Sequence, residues 1–148
     1  MYNVVGMLDI KRGFSLVELL VATGVLIILV AGVVSLIGPG SRQYARDVQR
    51  KADLEEIRSA LEFYRNSNTG YMVNAGGVAA TVLSSLVPTY ASVVPDDPLS
   101  TRDYYYIGTA TTYTLCTALE KVTTPVSGCG AAGACGSGVV CSYKVTQP

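Results

Sequence analysis

The fold of this chain is decided by one stretch near its N-terminus, Lys11-Arg12-Gly13-Phe14-Ser15-Leu16-Val17-Glu18, and by the apolar run that follows it to Ile37. No charged residue occurs between Leu19 and Ile37. At about 1.5 Å per residue, a helix over 14–37 is roughly 36 Å long, which is enough to cross a hydrocarbon core of about 30 Å. The sequence therefore predicts a transmembrane helix over 14–37, with its basic N-terminal flank on the cytoplasmic side.

Glu18 is the unusual residue of this helix. A carboxylate within a membrane span is costly, and such a residue usually has a function and a partner. The alternative is that Glu18 lies at the membrane interface and is solvated there. The residues around it favour the functional interpretation.

The stretch 13–20 resembles the processing site of the type IV prepilin family, and the resemblance runs nearly residue for residue over 11–29. It implies that a dedicated membrane peptidase cuts after Gly13, that the new N-terminal Phe14 is N-methylated, and that Glu18 acts in assembly. In a staggered stack of such helices, the ammonium of one subunit would meet the Glu18 carboxylate of its neighbour, so that each charge neutralises the other.

Residues 1–13 are then a leader peptide, and 135 residues remain after its removal. An ordinary secretory signal is the alternative. Against it, the apolar run is too long, and no A-x-A-like cleavage site follows before Gly38.

A globular head is predicted over 41–148. Gly38-Pro39-Gly40 should interrupt the helix because proline removes a backbone donor and clashes with the preceding turn. An amphipathic helix is predicted over 41–66, since apolar residues recur there at steps of three and four. The predicted core face consists of Tyr44, Val48, Ala52, Leu54, Ile57, Leu61 and Tyr64.

The remainder of the head is predicted to contain a loop region over 67–103 and a sheet with a cysteine-rich tail over 104–148. A short helix is possible over Ala79–Leu86, and a hairpin is predicted from strands Tyr104–Gly108 and Tyr113–Glu120. A last strand is predicted over 139–145 from its alternating pattern. The expected fold class is α+β, a long N-terminal helix packed on a small antiparallel sheet, as in pilins.

The middle of the head resembles pilins related to the major pseudopilin of type II secretion, as far as about Glu120. The matching segments are Phe63-Tyr64, Asn68-Thr69-Gly70-Tyr71, Val87-Pro88, Pro95-Asp96-Asp97-Pro98-Leu99-Ser100 and the tyrosine-rich hairpin. The tail beyond this point departs from that pattern.

Four cysteines, Cys116, Cys129, Cys135 and Cys141, follow the predicted membrane helix and so lie outside the cytoplasm, where disulfides persist. Three pairings are possible. Strand geometry favours Cys116–Cys141, with Cys129–Cys135 closing a glycine-rich loop. A four-cysteine zinc site is the alternative, but the C-x₂-C spacing typical of such sites is missing.

Two further features of the head have alternative interpretations. Oxygen ligands from Asp96, Asp97, Ser100 and Asp103 would suit Ca²⁺. The resembling pseudopilins bind calcium in this region, but the tail here has no later aspartate, and a solvated turn is the alternative. The cluster Tyr104-Tyr105-Tyr106 could form an adhesive surface, or it could supply strand residues that pack in the core.

Composition restricts the function. The formal net charge is zero, and the head alone carries nine basic and nine acidic residues from Ser41 onward, which argues against a nucleic-acid partner. Histidine is absent, so the commonest general base is missing. We therefore expect that this protein is not an enzyme and that it requires no cofactor.

The expected function is that of a structural subunit of a type IV pilus or pilus-like filament. Its expected partners are copies of itself, the prepilin peptidase and N-methyltransferase, and an assembly platform. The precursor would span the cytoplasmic membrane once, with its head exported, before entering a surface or periplasmic filament. The alternatives are a pseudopilin of type II secretion, a DNA-uptake pilin, and an uncut, membrane-anchored binding module.

Overall fold

The computed structural model describes residues 13–36 and 38–147. The chain divides into two compact units, Met1–Gly38 and Pro39–Pro148. The first contains helix α1, Leu16–Leu36. The second contains α2 (Pro39–Ser67), β1 (Asn74–Val78), α3 (Ala79–Val82), a 3₁₀ turn (Ser84–Leu86), β2 (Tyr105–Gly108), β3 (Tyr113–Thr117) and β4 (Tyr143–Thr146). Most of the predicted leader, residues 1–12, lies outside the described residues, as does Ile37.

Apart from Glu18 in its first turn, helix α1 carries no charged residue, and its apolar side chains lie on all sides. None of its residues is buried within its unit. Its two hydroxyl side chains donate to carbonyls of the same helix, Thr23 to Leu20 at 3.0 Å and Ser35 to Ala31 at 2.6 Å, so their polarity is satisfied locally. Within the described part of the chain, it is the one helix that is long and apolar enough to cross a membrane.

Helix α2 begins at Pro39, after the predicted interruption of the helical run. Proline suits the first position of a helix because its missing N–H would have no intrahelical partner there. The C-terminal half of α2 buries Leu54, Ile57 and Leu61, as the periodicity predicts. The prediction is wrong for the N-terminal half, where Tyr44 and Val48 are exposed.

The charged residues Asp47 and Arg50 are buried in that half instead. They continue the face of Leu54 and Leu61 at helical spacing. The inward face of α2 is therefore polar in its first half and apolar in its second. The partners of the two charged residues are described with the candidate site.

The head contains a four-stranded antiparallel sheet in the order β1-β2-β3-β4. The register pairs Tyr106 with Leu115 and Leu115 with Val145. The predicted hairpin is confirmed, and its turn is closed by the Thr109 N–H donating to the Thr112 carbonyl at 2.8 Å. The long helix, the following helix and this sheet give the expected α+β, pilin-like arrangement.

The expected loop region over 67–103 contains the short helix predicted over Ala79–Leu86, as α3 and the 3₁₀ turn. It also contains strand β1, which was not predicted. Its sequence Asn74-Ala75-Gly76-Gly77-Val78 lacks an apolar alternation. Gly76 has a φ of 131°, and the register shifts between Asn74 and Gly77, so the strand carries a bulge. A side chain at Gly76 would collide with the Tyr105 ring, which explains the glycine.

The two faces of the sheet carry different cores. On one face, the apolar half of α2 packs with Tyr104, Tyr106, Leu115 and Val145. On the other face, Tyr105 packs against a cluster that contains all four cysteines. The tyrosine cluster therefore follows the core-packing alternative, since its members alternate between the two cores.

Candidate processing and assembly site

The predicted cleavage site lies outside regular structure. Gly13, Phe14 and Ser15 precede α1 and are exposed, and the Phe14 side chain is 78% accessible. The first helical hydrogen bond is donated by the Leu19 N–H to the Ser15 carbonyl at 3.0 Å. The Gly13–Phe14 peptide bond thus takes no part in the helical hydrogen bonding of α1.

Glu18 lies in the first turn of α1 and is exposed. An acid at this position interacts favourably with the positive end of the helix dipole. No ion pair is formed by Glu18 within the described residues. Its pairing with the amine of a neighbouring subunit stays a prediction.

The rest of α1 offers an apolar surface with small gaps. Large side chains such as Ile28 and Leu36 are mostly exposed, whereas the positions of Gly24 and Gly32 have nothing within 4 Å. Small residues of this kind allow helices to approach closely in lipid, where packing rather than the hydrophobic effect drives association. This surface needs cover from lipid or from other helices.

The head contains a buried ion cluster centred on Arg50, which was not predicted from the sequence. The Arg50 side chain is 0% exposed and contacts three carboxylates. It binds Asp97 through two hydrogen bonds of 2.7 and 2.9 Å, and Asp47 and Glu120 through one each at 2.8 Å. Arg46 holds the same Glu120 through two hydrogen bonds of 2.6 Å.

The ion cluster sets the ionisation of its members. Burial acts to lower the pKa of Arg50, but its hydrogen bonds to Asp97 and Glu120 outweigh burial, so the pKa is raised and the guanidinium stays charged. The hydrogen bond from Arg46 lowers the pKa of Glu120 from 4.5 to about 2, against the opposing effect of burial. Arg50 and Glu120 therefore stay charged at neutral pH.

The same cluster anchors the chain as it leaves the sheet. The carboxylate of Asp47 accepts the backbone N–H of Glu120 at 2.8 Å and that of Lys121 at 3.0 Å. Nearby, Tyr104 donates to Asp53 at 2.6 Å, and burial together with this bond raises the pKa of the Tyr104 phenol. The polar half of α2 is therefore tied to the sheet by hydrogen bonds and ion pairs.

The predicted calcium ligands do not converge in this arrangement. Both carboxylate oxygens of Asp97 face Arg50, so the solvated-turn alternative is wrong for Asp97. Asp96 and Ser100 are exposed, and Asp103 is half-buried. Over residues 13–36 and 38–147, no three acidic, cysteine or histidine side chains group in a way that could hold a metal ion. Calcium binding stays a prediction that this geometry does not support.

All four cysteines form disulfides, but the predicted pairing is wrong. The bonds join Cys116 to Cys129 and Cys135 to Cys141, rather than Cys116 to Cys141 and Cys129 to Cys135. The reason is register: β4 begins only at Tyr143, and Cys116 lies opposite Lys144.

The comparison with known families agrees with the N-terminal site. A family model described as the prokaryotic N-terminal methylation motif matches residues 9–34. Searches of characterised proteins and of solved structures found no significant match. The motif indicates a type IV pilin-like prepilin, consistent with a pilus or pseudopilus subunit. Together with the apolar helix, it fits a membrane-anchored precursor that is processed by a prepilin peptidase and assembles into pilus-like filaments.

Proposed function

We propose that this chain is the structural subunit of a type IV pilus or a pilus-like filament, cut after Gly13 and assembled through α1. The observation that carries the proposal is the methylation motif over residues 9–34, placed on a helix whose apolar surface has no cover within its own unit. The precursor spans the cytoplasmic membrane once, with its N-terminus inside and its head exported.

The role is structural rather than enzymatic. The chain has no histidine, all four cysteines are in disulfides, and the buried acids of the Arg50 cluster are held in ion pairs. The commonest general base is therefore missing, and no cysteine thiol is free to act as a nucleophile among the described residues. The head is exposed to solvent and carries no net charge. Both properties suit a pilus subunit as well as a pseudopilus subunit.

Processing of the N-terminus is the experiment that tests the proposal. The full chain is expressed with and without a competent prepilin peptidase, and the N-terminal peptide is identified by mass spectrometry. With the peptidase, the chain should begin at Phe14 and carry a methyl group on its amine. Gly13→Val should block cleavage, because the motif places glycine, which has no side chain, directly before the cut. Ser15→Ala should be cut as the parent is.

A chain that keeps Met1 beside an active peptidase would contradict the proposal and favour a membrane-anchored binding module. If processing occurs, cells that lack this protein separate the remaining alternatives. Loss of long external fibres indicates a pilus, loss of protein export indicates a secretion pseudopilus, and loss of DNA uptake indicates an uptake pilin.

A further inference from the structure

The head has an open cleft that combines apolar walls with the positive charge of Arg102. The cleft has a volume of about 280 Å³ and lies between the chain that leaves β3 and the segment that precedes β4. Its apolar walls include Leu119, Val122, Val139 and Val140. Val122 and Val140 are each about two-fifths exposed, so the walls are open to a partner.

Arg102 supplies a positive charge to this cleft. Its Nη1 donates to the Ala118 carbonyl at 2.5 Å, and its side chain is half-buried. None of the carboxylates that the structure describes forms an ion pair with it. The one acid that lines the cleft, Glu120, is already held by Arg46 and Arg50. A half-buried cation beside apolar walls fits a ligand with a carboxylate next to an apolar side chain.

The surface of the same head displays a segment of that chemistry. Val93 is 60% exposed, and Asp96 is exposed without an ion-pair partner among the described residues. Between and beside them, Val94 and Asp97 point inward, Val94 into the main core and Asp97 onto Arg50. The segment 93–96 is therefore attached to the head through Val94 and the adjacent Asp97, while it presents one apolar and one acidic side chain outward.

Other acids of the head fit the cleft less well. Glu55 is paired with Arg58, and Glu62 accepts hydrogen bonds from Tyr71. Glu56 lies on α2, where the chain is helical and offers no extended segment that could enter a cleft. Among these acids, Asp96 is exposed, forms no ion pair with a described residue, and lies close to an exposed valine on a segment outside helix and strand.

We propose that the cleft of one copy of this chain receives segment 93–96 of a second copy, with Asp96 paired to Arg102 and Val93 packed against Val122 and Val140. The inference rests on the proposed function. We take the contact as heterologous: a joined pair leaves the segment of one copy and the cleft of the other free, so the contact can propagate along a filament. It would add a head-to-head specificity to the assembly through α1.

Charge reversal tests the contact in the full chain, in cells with a competent peptidase, by the yield of sheared filaments. Asp96→Arg and Arg102→Glu should each lower the yield by about tenfold or more, because like charges then meet across the interface. The double variant should restore the yield, since it recreates the pair with its signs exchanged. Processing at Gly13 is measured in every variant.

Matched controls separate the contact from a general effect of charge. Glu56→Arg reverses an exposed acid on α2, and Lys144→Glu reverses a cation that, like Arg102, donates to a backbone carbonyl, that of Ser127 at 3.0 Å. Both controls should assemble as the parent does. Filament loss in the controls equal to that in the test variants would overturn the proposal.

Val140→Asp provides a test that leaves Arg102 and its bond to Ala118 intact, in case Arg102→Glu impairs folding. It should reduce the filament yield while the thermal midpoint of the head stays unchanged. Single variants that assemble at the parental level, or a double variant that is not rescued, would overturn the contact and leave the filament function standing. A parent chain that is processed but never polymerises would overturn both.

Discussion

Glu120 shows how a single residue links the head's two structural layers. It follows β3, its side chain is 8% exposed, and it accepts hydrogen bonds from both Arg46 and Arg50 of α2. Burying a charge in this way costs free energy unless the partners are well placed. Two arginines that reach one carboxylate meet that condition, and the lowered pKa of Glu120 reflects it.

The pKa of Glu120 predicts an acid-dependent stability. Because the folded pKa is about 2 and the ordinary value is 4.5, the ionised Glu120 stabilises the fold above pH 4.5, and this contribution is lost as the pH falls towards 2. Glu120→Gln should lower the free energy of unfolding by about 1–3 kcal/mol at neutral pH, and the difference from the parent should shrink on acidification.

Denaturant unfolding of the head at neutral pH, near pH 4.5 and near pH 2.5 would measure this difference. The matched control is Glu55→Gln, since Glu55 pairs with Arg58 at the surface and is about half exposed. A gap between parent and Glu120→Gln that stays constant over this pH range would contradict the prediction.

At the scale of elements, α2 is attached to the sheet in two different ways. Its second half packs apolar side chains against the strands, whereas its first half is joined through the Arg50 cluster. Removing Arg50 would leave Asp47 and Asp97 buried without their counter-charge, which is more damaging than loss of the ion pair itself.

Arg50→Met should therefore lower the free energy of unfolding of the head by about 3–5 kcal/mol. Arg58→Met removes a surface pair with Glu55 and should cost no more than about 1 kcal/mol. Chemical denaturation of both variants in parallel measures the contrast. Similar losses of unfolding free energy in the two variants would contradict the burial of the Arg50 cluster.

The disulfides attach the tail to the outer face of the sheet and can be checked by removing one cysteine at a time. Cys116→Ser should free Cys129 and leave Cys135–Cys141 closed. Alkylation of the denatured, unreduced protein followed by peptide mass spectrometry should then find the label on Cys129. A label on Cys141 would instead support the pairing expected from the sequence.

The two bonds should also differ in their contribution to stability. Cys116–Cys129 spans 13 residues and Cys135–Cys141 spans 6. Because a longer loop loses more entropy when it is closed, the first is expected to contribute about 3 kcal/mol and the second about 2 kcal/mol. The main core contains no cysteine, so it should survive loss of either bond.

At the scale of the whole molecule, the two units require different surroundings to be stable. Residues 39–148 contain their own cores, whereas α1 has no buried residue and exposes its apolar side chains on all sides. Helix α1 therefore needs lipid or other helices around it. The one acid of α1, Glu18, is the residue that we expect to distinguish a stack of subunits from an ordinary anchor.

Glu18→Ala should leave membrane insertion intact, because it removes a charge from an apolar helix, but it should impair filament assembly. The expected reason is loss of the pairing between this carboxylate and the new N-terminal amine of a neighbouring subunit. Membrane fractionation and filament yield measure the two effects separately. Glu56→Ala, which removes an exposed acid of the head, is the matched control, and parental filament levels from Glu18→Ala would refute the pairing.

The sequence by itself determined the features that depend on local pattern. The run that forms α1 is recognisable from length and composition, the interruption before Pro39 from proline chemistry, and the hairpin of β2 and β3 from alternation around a threonine-rich turn. The processing stretch around Gly13 and Phe14 is likewise contiguous, so its resemblance could be read directly. Each of these signals is contained within a few turns or strands of chain.

Only the tertiary structure decided which distant residues meet. The burial of Arg50, the pairing of Cys116 with Cys129, and the glycine-rich strand β1 all depend on register and on which faces are brought together. The type of a residue does not reveal such a partner. An arginine in a helix is normally predicted to lie at the surface, but in the folded chain Arg50 is surrounded by three carboxylates. Local periodicity fixes the direction of a side chain relative to its own element, and the packing of the elements fixes what that side chain contacts.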